Sequence, residues 1–115
     1  MTDTIYNPKK DVFKALNALG YSCIQGNQSV FNKTPAITFY ISDNHPQYDL
    51  DKAIVANLAE MTVDVWGDDS VTTSRVASEA EQAMREIDYL LTYQADIPRP
   101  EGALYHIQMR FEAIK

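Results

Sequence analysis

The segment from Ala103 to Ile114 constrains the fold most. In it Tyr105, Ile107, Met109, Phe111 and Ala113 alternate with Leu104, His106, Gln108, Arg110 and Glu112. A period of two puts the first set on one face of a β-strand and the second on the other. One face is apolar and one mostly polar, the signature of an antiparallel sheet covered on a single side. Such a strand needs partner strands beside it and a cover above it.

Two partners are legible. Ala36 to Ser42 is β-branched and aromatic and is entered through Pro35. Ile37, Phe39 and Ile41 share one face; Thr38, Tyr40 and Ser42 share the other. A second run extends from about Ile54 to Trp66, where Met61, Val63 and Val65 oppose Glu60, Thr62 and Asp64. Between them lies the polar, proline-broken stretch Asp43 to Lys52, expected to form a protruding hairpin tip into which both strands continue as a β-arm. Tyr21 to Gln25 is open to a short strand, followed by turn chemistry at Gly26-Asn27-Gln28-Ser29. Thr92 to Ile97 is open to a strand or an extended connector, and Pro98 to Gly102 is a turn.

Two helices supply the cover. Val12, Phe13, Leu16 and Leu19 fall at helical spacing between Pro8 and Gly20. A second helix opens after Gly67, capped by Asp68, Asp69 or Ser70, and its stripe of Val76, Ala80, Ala83, Met84, Ile87, Leu90 and Leu91 carries it to about Leu91. Ala77, Ala80 and Ala83 allow a close approach to a sheet. The expected fold is α+β, an antiparallel sheet of about four strands with two helices on one face, in the order α-β-β-β-α-β. At 115 residues, with 45% hydrophobic and 23% charged residues, residues 1–115 form a single folded domain.

Charge and motif content narrow the function classes. The formal net charge is -6, against the clustered positive charge that gripping DNA, RNA or an anionic membrane requires. Cys23 is the one cysteine, so neither an intrachain disulfide nor a thiolate zinc site is available. Met1 to Ile5 lacks the basic start and apolar run of a signal peptide, and no apolar stretch is long enough to span a bilayer. The expectation is a reducing, aqueous compartment.

Each candidate for chemistry has a plainer explanation beside it. Asp43, His45, Asp49 and Asp51 could crowd a divalent cation, but their spacing lacks the glycine and closing glutamate of a calcium loop, and a solvated or partner-facing loop is the expectation. Asp64, Asp68 and Asp69 surround Trp66; capping accounts for the pair at the helix start. His106 has no matched nucleophile motif, and Ser22 and Cys23 fit none. Cys23 is expected to be a small buried residue. No catalytic residue, metal or cofactor is expected. Tyr40, Tyr48, Trp66, Gln108 and Arg110, with Thr38 and Thr62, resemble a protein contact surface as much as a solvated sheet face.

The order of elements carries a resemblance. Asp11-Val12-Phe13-Lys14-Ala15-Leu16 ends in Leu19-Gly20-Tyr21. Pro35-Ala36-Ile37-Thr38-Phe39-Tyr40 follows, then Val63-Asp64-Val65-Trp66-Gly67, an alanine-containing Ser/Thr-rich helix, and Tyr105-His106-Ile107-Gln108-Met109-Arg110-Phe111-Glu112. From about Asp11 to Ile114 this resembles the tail-completion proteins of long-tailed bacteriophages and prophages, which include tail terminators and tail-to-head joining proteins. The resemblance implies a non-enzymatic subunit of a hexameric ring. That ring caps the tail tube, contacts the major tail tube protein and the head–tail connector protein, and lets DNA pass through. It implies a place in the virion tail, assembly in the bacterial host cytoplasm, and no membrane partner. The Asp43–Lys52 tip and the Tyr93–Gly102 connector become the expected contact segments. Asp43, His45, Tyr48, Asp49, Asp51, Trp66, Arg99 and Arg110 are the expected interface residues. Another head–tail connector component, or a small ligand- or peptide-binding α+β module, remains an open alternative.

Overall fold

The computed structural model describes residues 6–26 and 33–115. Helix α1 (Pro8–Asn17) starts with Pro8 in its first turn, and the Asn7 side chain accepts from the Lys9 amide at 3.1 Å. Val12 and Leu16 turn inward and are buried. The helix stops short of Leu19 because the amides of Leu19 and Gly20 bond three residues back, tightening the last turn, and Gly20 takes a positive φ of 89°.

The sheet has five strands rather than about four, and it is mixed rather than wholly antiparallel. Strands β1 (Ser22–Gln25), β2 (Ala36–Tyr48), β3 (Ile54–Gly67), β4 (Leu90–Ile97) and β5 (Tyr105–Ile114) lie in the order β1-β2-β3-β5-β4. Strand β1 runs parallel to β2 at one edge, and the other pairs are antiparallel. The chain order is therefore α-β-β-β-α-β-β. The turn residues Asn27 to Ser29, between β1 and β2, lie outside the described residues.

Helix α2 (Ser70–Glu86) begins at Asp69, whose carboxylate accepts from the Thr72 amide at 2.7 Å. Gly67 lets the helix start lie against the end of β3: a methyl there would run into Thr73 Oγ1. The expectation that α2 continues to Leu91 is wrong. It ends at Glu86, Ile87 caps it, and Asp88 takes a positive φ of 68°. Asp is one of the few non-glycine types that enters this region readily, so no glycine marks the stop. Leu90 and Leu91 belong to β4 and are exposed, while Tyr89 is fully buried in their place. The first half of the expected Tyr93–Gly102 connector, Tyr93 to Ile97, is thus strand, and irregular chain begins at Pro98.

Both helices pack on one sheet face. Val12 and Leu16 of α1 and Val76, Ala77, Ala80 and Met84 of α2 meet Ile37, Phe39, Met61, Val63, Val65, Met109 and Phe111 in one cluster. Each large side chain buried there contributes about 1.5–3 kcal/mol. Strand β5 accompanies β3 as far as the Leu58–Ile114 pair; beyond it β2 and β3 continue from Pro46 and Asn57 as a two-stranded arm. A β-bulge between Ile41 and Asp43 precedes the arm and locally re-aims β2. Pro46 is tolerated because β1 ends opposite Phe39, so the far side of β2 needs no amide donor there. The arm closes in a turn where Asp49 Oδ1 accepts from the amides of Asp51 and Ala53 at 2.8 and 3.0 Å. Among the described residues no helix is long and apolar enough to cross a membrane.

Candidate functional site

The strand register lays out the sheet face that the helices leave open. Residues directly opposite in paired strands share a face. At one end Trp66 and His106 stand beside Ile97; next come Thr38, Asp64, Gln108 and Ala95; then Tyr40, Thr62, Arg110 and Tyr93. Toward the arm follow Asp43, Glu60, Glu112 and Leu90, and finally His45, Leu58 and Ile114.

The first end is a closed polar knot. Asp64 Oδ1 and His106 Nε2 lie 2.6 Å apart, with side chains 4% and 15% exposed. The Trp66 ring stacks on His106 with centroids 3.7 Å apart and planes 13° apart. Trp66 Nε1 donates to Thr38 Oγ1 at 3.0 Å. These side chains cover one another, which is why Thr38, Thr62 and Asp64 are buried on a face without a helix. A histidine held by a carboxylate is part of an acid–base apparatus only if it also meets a nucleophile or a substrate proton. Among the described residues His106 makes no hydrogen bond to a hydroxyl or thiol, its partner being Asp64. Ser42 Oγ and Thr62 Oγ1 bond to each other instead. Cys23 is no thiolate either, since burial pushes its thiol up to about 11.

The expected interface residues do not form one site. Arg110 packs over the Tyr93 ring at 4.8 Å in the middle of the face. Arg99 lies past the Trp66 end, over the Tyr105 ring at 4.0 Å, and donates to the Ala103 carbonyl, closing the turn after β4. Asp43 and His45 pair at 3.0 Å at the root of the arm, and Tyr48, Asp49 and Asp51 sit at its end. Strand rise places the arm tip about 40 Å from Trp66. Among the described residues no three His, Cys, Asp or Glu side chains are placed to hold a metal ion.

The expected Asp43–Lys52 tip includes Tyr48, but two further apolar features, the arm's Leu50 and Val55 and a groove at its root, escape the sequence reading. The arm carries Tyr48 at 58%, Leu50 at 103% and Val55 at 60% exposure. Between the arm root and β4 lies a groove of about 560 Å³ whose lining includes Leu58, Glu60, Asp88, Leu90, Glu112 and Ile114. The available signal was parity: Leu58 and Ile114 are apolar residues on the polar phase of their strands. No protein-family model matches the chain, and no curated protein matches it.

Proposed function

We propose that this chain is a structural subunit of a long-tailed phage or prophage tail. It assembles as a hexameric ring that caps the tube of the major tail protein and joins it to the head connector. The observation that carries this reading is the arm: a hairpin leaving the core with Tyr48, Leu50 and Val55 uncovered. Large apolar side chains held out on a paired hairpin mark contact with another protein. Strand β4 adds an open sheet edge bearing Leu90, Leu91 and Tyr93, and open edges pair with other chains. A net charge of -6 suits a conduit that DNA crosses without being gripped. In this reading the ring sits in the virion tail and forms in the host cytoplasm.

The test combines light scattering over a concentration series, negative-stain imaging, and a capping assay on polymerising major tail protein. The expected result is a ring with a central hole, or tubes whose growth stops when the chain is added. A chain that neither forms rings nor arrests tube growth overturns the reading. The groove beside β4 favours a second reading, a peptide- or ligand-binding module, which predicts a rise in melting temperature with a small ligand.

A further inference from the structure

We propose that the groove between the arm root and β4 seats helix α1 of a second copy of this chain. The proposal deepens the ring reading and rests on it for closure of the contact into a ring. The pairwise contact itself is argued from the residues alone.

The groove has an apolar floor with an acidic rim. Leu58, Leu90 and Ile114 line it, and Leu90 and Ile114 are 63% and 75% exposed. Glu60 and Glu112 stand directly opposite each other in the β3–β5 register, and Asp88 joins them. Like charges placed opposite in a sheet repel. Among the described residues, no lysine or arginine lies within ion-pair distance of Glu60, Glu112 or Asp88. The folded chain therefore holds unneutralised carboxylates beside uncovered apolar surface. One kind of occupant relieves both: an apolar anchor flanked by cations.

Helix α1 presents that chemistry. Lys10, Phe13, Lys14 and Asn17 share one face at helical spacing, with Lys9 beside them. Phe13 is 42% exposed. Apart from Lys33 and Lys52, the other cations are engaged: Arg75 with Glu79, Arg85 with Glu81, Arg99 and Arg110 on tyrosine rings, and Lys115 on the Ile87 carbonyl. The acid on this helix, Asp11, accepts from Tyr6 at 2.7 Å. Helix α1 packs over β1 and β2 on the covered face, whereas the groove opens on the other face beside β4 and β5. One copy cannot place its own α1 in its own groove. The contact is head-to-tail, the heterologous type from which rings are built.

Charge reversal tests the contact. K10E/K14E and E60K/E112K alter exposed or half-exposed positions, and melting curves check that both variants fold. Each variant alone should self-associate about tenfold more weakly than wild type. An equimolar mixture should regain association, because α1 of each variant then matches the groove of the other. Carbodiimide cross-linking of mixed isotope-labelled and unlabelled wild type should join Lys10 or Lys14 to Glu60 or Glu112 between copies. A mixture that fails to recover, or rings that persist in both single variants, overturns the contact and leaves the ring reading standing. So does a wild-type chain that stays monomeric and gives no such cross-link. Wild type that shows the cross-link yet forms no ring and caps no tube overturns the ring reading alone. An unrelated Lys-Phe-Lys peptide that binds the groove while copies of the chain ignore one another assigns it to a foreign partner and overturns the proposal.

Discussion

At the scale of single residues the chain spends its polar side chains on holding one sheet face rigid. Asp64 is the sharpest case, a carboxylate on the central strand whose hydrogen-bond partner is His106. Removing the ring strips that partner from a buried acceptor and takes away the surface on which Trp66 lies. His106→Ala should therefore destabilise the fold by about 2–3 kcal/mol, measured by urea unfolding. His106→Gln, which keeps a donor, should recover part of the loss. Pairing His106→Ala with Asp64→Ala should cost less than the two single losses together, since the second change removes the orphaned carboxylate. Equal losses for the Ala and Gln variants would show that the stack with Trp66, not the hydrogen bond, is what the histidine provides.

At the scale of elements, legibility followed how much of each signal is local. Strands β3 and β5 were readable because Met61, Val63 and Val65, and Ile107, Met109 and Phe111, alternate without interruption and lie on the covered face. The N-terminus of α2 was readable because a cap is a local device, and Asp69 performs it. Its C-terminus was not, because Ile87, Leu90 and Leu91 prolong the apolar spacing and the break at Asp88 depends on a backbone angle. The parallel placement of β1 and the insertion of β5 between β3 and β4 are tertiary choices that no local pattern encodes. The open-face groove was hidden for the same reason, since it joins residues from β2, β3, β4 and β5. The cap carries a prediction. The Thr72 amide, the largest influence, holds the Asp69 carboxyl below its ordinary value. A folded value below the unfolded one means the cap stabilises above the unfolded value and fades as pH falls through the folded one. The difference in melting temperature between wild type and Asp69→Asn should thus be steady near neutrality and shrink below about pH 4. A difference that persists unchanged into acid would remove the carboxylate from the cap.

At the scale of the whole molecule, the fold separates a part that makes it stable from parts that have nothing of their own to cover them. Strand β3 sits at the centre of the sheet with β2 and β5 on its flanks and helix α2 above. Its amides near Val63 should open only with global unfolding and exchange slowest. The arm from Gln47 to Val55 and the edge strand β4 contribute little buried apolar surface, so their amides should exchange orders of magnitude faster in the free chain. Deleting Gln47 to Leu50 should accordingly leave the melting temperature nearly unchanged while abolishing tube attachment, if the arm is the assembly device proposed for it. Hydrogen exchange on free and assembled protein then locates the contact without any mutation. Protection gained at 47–55 assigns assembly to the arm; protection gained jointly at 9–17 and at 112–114 assigns the contact between copies to α1 and the groove. The two patterns are independent, because the arm tip and the groove lie on different parts of the molecule and α1 packs on the sheet face opposite the groove. Assembly that protects β3 further but leaves all three segments fast would mean that the exposed apolar residues of this fold are not its contact surface, and both assignments would fall together.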